Sequence, residues 1–229
     1  MAEKNIVIDL GGSLIIPHEI QVKFLKRFKA FILKNIKKEK RFIIITGGGF
    51  TARNYIKAIS SFNVTNEDKD WIGIYATKIN ACLIKTIFKE KAYPLIIDKN
   101  PSSIKEALKY PIIIGSGWQP GWSTDYDAVM LAKRFNADQT IIASKIDYVY
   151  NKDVSKYKDA VPIKEISWNK YRKLIKKRWE PGMKAPVDPI AAKLAAKLKM
   201  EIIVTNGKDI KNLENILNNK KFKGTIIHS

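Results

Sequence analysis

Only one cysteine, Cys82, and two histidines, His18 and His228, occur in the 229 residues. A lone cysteine cannot close an intramolecular disulfide and fits a reducing compartment. No Ser-His-Asp or Cys-His constellation can be assembled, and no metal-ligating set of side chains is read. The two histidines fall at a helix start and at the chain end and are read as structural. Long apolar runs are missing as well. PIIIG and FIIIT, about five residues each, fall far short of the roughly 20 needed to cross a bilayer. The opening MAEKNIVIDL lacks the apolar stretch and small-residue cleavage site of a secretory signal. These absences predict a soluble, cytoplasmic protein without a membrane partner.

Arginine is scarce too: 36 lysines stand against six arginines in a chain of net charge +20. Such a positive field attracts nucleotides and other polyphosphates. It does not predict specific nucleic-acid binding, because bidentate readers of phosphate and base edges favour arginine. The lysines are also spread over nearly every expected helix. The densest cluster, RKLIKKRW from Arg172 to Trp179, reads either as a nucleic-acid patch or as a solvated helix face. Two phosphate fingerprints are absent. The lack of GxxxxGK[ST] argues against a P-loop NTPase, and the lack of GxGxxG opening a helix after the first strand argues against a dinucleotide oxidoreductase.

Short β-branched runs alternate with amphipathic stretches from end to end, which predicts α/β units winding a mainly parallel sheet. Strands are expected at 5–10, 41–46, 93–98, 111–116, 139–144, 201–206 and 224–228. Helices are expected at 19–37, 52–60, 71–89, 125–136, 168–177 and 188–198. The stretch 148–166 mixes Asn, Asp, Lys and Pro between short apolar pieces and reads as a hairpin or loop excursion.

Three of the expected strands run straight into glycine: Gly11 and Gly12, then Gly47 to Gly49, then Gly115, Gly117 and Gly121. In an open parallel sheet the carboxyl ends of strands share one edge, where ligands bind. Glycine lets backbone N–H groups approach an anion closely, and a following helix adds its positive dipole end. Three such loops on one edge predict a site for several phosphates.

The motifs in this order resemble the amino acid kinase superfamily, and within it most resemble archaeal-type uridylate kinases, over essentially the whole chain. The resemblance implies a three-layer α/β/α sandwich and one domain over 1–229, with an acceptor half to about 115 and a nucleotide-donor half after it. It also implies transfer of a phosphoryl group from ATP to UMP, with Mg²⁺, in pyrimidine nucleotide synthesis, and a homohexamer. By the same resemblance Gly11, Gly12 and Ser13 (GGS) approach the donor phosphates. In GGGFTAR, Gly48, Gly49 and Arg53 meet the acceptor and transferred phosphates. DWIGI places Asp70 on the ribose of UMP. GSGWQPGWSTD is similar to the acceptor loop G-x-x-P-G-x-[ST]-T-D and assigns Trp118, Gln119, Pro120, Gly121, Trp122, Ser123, Thr124 and Asp125 to UMP. SKIDYVYNKD resembles the adenine-nucleotide loop and assigns Ser144, Lys145, Tyr150 and Asp153 to ATP. VDPIAAK resembles a helix start whose aspartate, here Asp188, orients catalytic groups.

The chain departs from the pattern at Asp9, where many members carry a lysine that stabilises the transferring phosphoryl group. Lys145 and Lys184 are the expected substitutes for that charge, with Arg53 at the junction of both substrates. Tyr148 replaces a turn glycine and Val154 a proline, which predicts an altered hairpin or adenine edge. Trp118 and Trp122 either stack on a base or pack internally. The superfamily also contains isopentenyl phosphate kinases, which would carry a histidine after the GGG turn, and amino-acid kinases, which the STD loop disfavours. It further contains nucleotide-binding storage proteins of the molybdenum-storage type, and Asp9 leaves that alternative open.

Overall fold

The computed structural model describes residues 4–154, 156–176, 178, 180 and 185–229. Strand β1 (Lys4–Leu10) passes through one short helical turn, α1 (Gly12–Ile15), into the amphipathic helix α2 (Val22–Ile36) and back to strand β2 (Lys40–Thr46). Helices α3 (Gly49–Ile59) and α4 (Asn66–Phe88) precede strand β3 (Ile112–Gly115) and helix α5 (Thr124–Arg134). Strand β4 (Gln139–Ser144) leads to an antiparallel hairpin of β5 (Val149–Tyr150) and β6 (Pro162–Ile163), then to strand β7 (Glu165–Ser167) and helix α6 (Trp168–Leu174). Helix α7 (Pro189–Lys197), strand β8 (Ile202–Asn206), helix α8 (Ile210–Leu217) and strand β9 (Thr225–His228) complete the described elements.

Seven strands form one sheet in the order β3-β2-β1-β4-β8-β9-β7. Neighbours from β3 to β8 are parallel, whereas β9 runs antiparallel to β8. The apolar runs of β1 to β4 are buried on both faces, which is why they read as continuous β-branched stretches rather than as alternation. Period 2 divides their side chains between two helical layers. Ile6, Ile8, Leu10, Phe42, Ile44, Ile112 and Ile114 pack with Phe28 and Ile32 of α2, Ile84 of α4 and Leu213 of α8. Val7, Ile43, Ile45 and Ile113 pack with Ala128, Leu131 and Ala132 of α5. Ile142 and Val204 carry the second layer onward to Tyr171 of α6 and Ala191 of α7. This is the three-layer α/β/α sandwich with a mainly parallel central sheet.

Two features of this architecture place the site. From β1 the chain winds outward through β2 to β3, and from β4 it winds the other way to β8. The reversal lies between β1 and β4, the switch point where ligands bind an open α/β sheet. Alternation then puts Asp9 on the same face as Val7, toward the layer that contains α5 and α7.

The expected strand 93–98 is not a regular strand. It touches β3 only through bridges at Ala92–Ile112 and Ile97–Gly115. Pro94 brings no N–H to a ladder, and Leu95 beside it is exposed. The helix expected from 71 starts at Asn66, because Thr65 and Asp68 form a reciprocal capping box. The helix expected from 52 starts at Gly49. Helix α8 has no counterpart among the expected elements. The excursion at 148–166 is a hairpin whose end runs into β7, which rejoins the main sheet beside β9.

Candidate active site

The first two glycine loops pack backbone to backbone. A Cβ on Gly12 would lie 2.1 Å from the Gly49 nitrogen and 2.5 Å from the Gly47 carbonyl carbon, so no side chain can exist there. Gly49 also holds a left-handed φ of 64°. The contact is pinned by Gly47 N donating to Leu10 O at 3.1 Å and Phe50 N to Ile16 O at 2.8 Å. Helix α3 opens from this junction with Gly48 as its N-cap, no side-chain cap and no acid in its first turn. Phe50 N is spent on Ile16 O, but no side-chain cap competes with an anion for the positive dipole end of the helix. Helices α4 to α8, by contrast, each carry a capping side chain. Ser13 is half-buried beside Gly12, and Arg53 is exposed one turn into α3, where it donates to Pro17 O at 3.1 Å.

The third loop closes over the same edge. Gly117 N donates to Thr77 Oγ1 at 2.8 Å and Gly121 N to Asp70 Oδ2 at 2.9 Å, so α4 anchors the loop at two points. Asn80, one turn beyond Thr77, donates to Gly47 O at 2.8 Å and ties α4 to the second glycine loop as well. Ser123 caps α5 by accepting from Asp125 N at 3.1 Å, and its hydroxyl donates to Asp188 Oδ2. Thr124 Oγ1 lies 3.3 Å from Asp9 Oδ2. Asp188 in turn caps α7, accepting from Ile190 N at 2.7 Å and Ala191 N at 2.9 Å, and its own N–H donates to Asp125 Oδ2 at 2.8 Å. One network thus joins β1, the acceptor loop and α7.

Its electrostatics follow from burial. Desolvation pushes Asp9 up to about 6, Asp125 well above the usual carboxylate range, and Asp188 upward. The Asp9–Asp125 hydrogen bond lowers Asp9 and raises Asp125, and the charge of Asp188 raises both. Asp127, one turn into α5, is pushed to about 8 by burial, with the charges of Asp9 and Asp188 adding to the shift. It accepts from Trp122 Nε1 at 2.8 Å.

Residues 4–206 match the model of the amino acid kinase family. The chain belongs to the amino acid kinase family. A uridylate kinase from Thermoplasma volcanium is 35% identical over 225 residues, covering 95% of this chain and 94% of that protein. One from Thermococcus sibiricus is 32% identical, covering 97% and 99%. The crystal structure of uridylate kinase from Archaeoglobus fulgidus superposes with a TM-score of 0.76 at 28% identity, over 97% of this chain and 99% of that one. A UMP kinase from Bacillus anthracis shares the fold, with a TM-score of 0.82 at 21% identity.

In this amino acid kinase, the residues of the expected donor side lie along the C-terminal end of β4. Ser144 Oγ accepts from Ile146 N at 3.3 Å, and Ser144 O accepts from Gly207 N at 2.9 Å, which joins β4 to the turn after β8. Tyr150 is half-buried in the hairpin with its ring edge-on to Tyr148, centroids 6.5 Å apart. Tyr148, the residue in place of a turn glycine, therefore supports Tyr150 with its ring. Lys145 and Asp153 flank the same hairpin, and Lys184 lies outside the described residues.

The two acceptor-loop tryptophans part company. Trp118 is buried in the core with Val7, Ile45 and Leu131, so it packs rather than stacks on a base. Trp122 is half-buried against Tyr126, centroids 4.5 Å apart, with its N–H held by Asp127. Gln119 and Gly121 are exposed, and Pro120 is half-buried between them. The sequence reading missed Thr77, Asn80 and Asp127. Thr77 and Asn80 are the polar residues three apart in YATKINA, a spacing that puts both on one helix face, and both are buried.

Proposed function

We propose that this chain catalyses transfer of the γ-phosphoryl group of ATP to UMP, giving UDP and ADP. The observation that carries this reading is the acceptor loop: it is fastened to Asp70 on one side and to Asp9 and Asp188 on the other, in a chain 35% identical to a curated uridylate kinase over nearly its full length. A UMP phosphate oxygen attacks the γ-phosphorus as the bond to the β-phosphate oxygen breaks, so no side-chain nucleophile is required. The protein positions both nucleotides and offsets their charge.

In this reading Gly48, Arg53, Asp70 and the 118–125 loop hold UMP, with Trp118 acting as the buried root of the loop. Gly11, Gly12, Ser13, Gly49, Ser144, Lys145, Tyr150 and Asp153 hold ATP. The α3 N-terminus and Arg53 meet the phosphates between the two substrates. Asp188 orients, while Lys145 and Lys184 supply cationic charge in place of the lysine that Asp9 replaces. The acceptor half ends near 115 and the donor half follows.

Mg²⁺ fits this site as a companion of the nucleotide. Among the described residues no three acidic, histidine or cysteine side chains group as a cage. The oxygens of Asp188 are committed to helix N–H groups and Ser123. Mg²⁺ characteristically takes one or two carboxylates plus phosphate oxygens, and with Asp9 buried against Thr124 the nucleotide phosphates would be its main ligands. Bound there, the ion offsets phosphate charge.

A homo-oligomer, a hexamer by family resemblance, is part of the proposal. It is supported by the exposed stripe Trp71, Tyr75 and Ile79 along α4 and by the exposed Tyr55 of α3 and Phe62 beyond it. Light scattering should give a mass above that of one chain. Among the described residues no helix is long and apolar enough to cross a membrane, and the lone, exposed Cys82 supports a cytoplasmic setting.

The deciding experiment is an ADP-release assay with ATP and Mg²⁺ against UMP, CMP, AMP, glutamate and isopentenyl phosphate, with UDP measured directly. UMP should be strongly preferred. Lys145→Ala should lower kcat about tenfold or more, the cost of one lost transition-state contact. Nucleotide binding without turnover on any acceptor would overturn the reading in favour of a storage role.

A further inference from the structure

Four consecutive residues of the acceptor loop each present a hydrogen-bond donor to a different aspartate. Gly121 N donates to Asp70 Oδ2 of α4 at 2.9 Å, and Trp122 Nε1 to Asp127 Oδ1 of α5 at 2.8 Å. The Ser123 hydroxyl donates to Asp188 Oδ2 at the cap of α7, and Thr124 Oγ1 lies 3.3 Å from Asp9 Oδ2 of β1. The segment is thereby fastened to four elements at once. Asp9, Asp70 and Asp188 all fall at positions that the family's motifs cover. Asp127 lies beyond them, and the transfer chemistry gives it no role.

Packing does not account for a carboxyl at this position. Residues 127, 128, 131 and 132 share the buried face of α5 at helical spacing, and the other three are Ala128, Leu131 and Ala132, packed with Val7 and Ile45 of the sheet. Asp127 is 1% exposed in that apolar stripe, and no ion pair among the described residues engages it. So buried an acid is costly unless its hydrogen bonds serve something. What it meets is the acceptor loop: Trp122 Nε1 donates to it, and the backbone N–H of Trp118 favours its charged form. The Trp122 ring also rests on Tyr126, centroids 4.5 Å apart, so it is packed on a face and hydrogen-bonded at an edge. Gly121 before it holds a left-handed φ of 105° and brings no side chain to the turn, so the nearest side-chain anchor is the Trp122 indole.

We infer that Asp127 is a positioning residue for the acceptor nucleotide: by holding the Trp122 indole it orders the loop before UMP arrives, so that binding does not have to supply that order. Its effect passes through Trp122 and not through contact with substrate. The inference rests on the kinase reading in taking 118–125 as the UMP loop.

The test is steady-state kinetics and calorimetric titration with UMP on the full chain and on Asp127→Ala, Asp127→Asn, Trp122→Phe and the double variant Asp127→Ala, Trp122→Phe. Asp127→Ala should raise KM and Kd for UMP about tenfold, the worth of one hydrogen bond, while kcat and KM for ATP stay within about threefold of the parent. Asp127→Asn keeps an oxygen for the indole and should restore most of the affinity. Trp122→Phe keeps a ring on Tyr126 and removes the N–H, so it should match Asp127→Ala, and the double variant should bind UMP no more weakly than either. Parent-like UMP affinity in Asp127→Ala overturns the proposal. So does an equal loss in Asp127→Asn, or a loss that Asp127→Ala adds undiminished to Trp122→Phe, either of which makes 127 a packing position. If a thermal melt shows that Asp127→Ala does not fold, Trp122→Phe decides, and parent-like UMP affinity there overturns the proposal. A parent that makes UDP while its variants bind UMP equally well overturns the positioning role alone. A parent that binds UMP with this residue dependence yet makes no UDP overturns the kinase reading alone, and a parent that does not bind UMP overturns both.

Discussion

Asp127 is neutral at neutral pH because burial and neighbouring charge raise it to about 8. Unfolded, it ionises with an ordinary carboxylate pKa near 3.8. A carboxyl raised on folding contributes most below its unfolded value and loses that contribution as pH rises toward the folded one. Asp127→Asn keeps an oxygen for the Trp122 indole and abolishes the titration. It should stabilise the protein by at least about 2 kcal/mol at pH 7, a discounted figure at about 1.4 kcal/mol per pKa unit. Melts at pH 7 and pH 4 check this, with the difference vanishing at the lower pH. Gly12→Ala carries the opposite expectation. Its Cβ would strike the backbone of the second glycine loop, so the two loops must separate, and ATP and UMP binding should fall together in titrations. Both glycine clusters were legible in the sequence, because a glycine after an apolar strand is a local signal. That one cluster leaves no room for a side chain on the other was not, since it depends on how two strands sit side by side.

At the level of elements, α6 and α7 work as a unit. The Tyr171 hydroxyl satisfies both polar groups of Val187, next to the cap that places Asp188. Tyr171→Phe leaves a buried N–H and C=O without that partner, which should cost about 2 to 4 kcal/mol in a denaturant titration. It should also lower kcat for UMP more than it changes KM, because Asp188 loses its alignment. Thr65→Ala removes the capping box of α4 and should cost about 1 kcal/mol. Since Asp70 lies one turn into α4, KM for UMP should rise. The long helices were legible from period and composition, but their ends moved where caps decided them, as at Thr65. Helix α8 escaped notice because IKNLENIL is only eight residues long, though Asp209 caps it through Asn212 N at 3.0 Å. The strand at 93–98 was expected from its apolar run, and its place beyond β3 leaves it only two bridges.

Across the whole molecule, net charge sets the response to salt. At +20 the folded chain repels itself, so raising NaCl from about 0.02 M to about 0.5 M should raise Tm while weakening nucleotide binding, as seen by scanning calorimetry and titration. Composition, strand order of appearance, glycine loops and the family's motifs were determined by the sequence alone, because each is a pattern within about a dozen neighbouring residues. The tertiary structure decided the rest. It brought Thr124 to Asp9 across 115 residues and Asp188 to Ser123 across 65. It buried Trp118 while leaving Trp122 half-buried against Tyr126, and it folded the basic run of α6 against α7 to form a cleft. Such contacts join segments whose local patterns carry no record of one another; they form because a parallel sheet with two helical layers gathers its strand ends and helix starts along one edge.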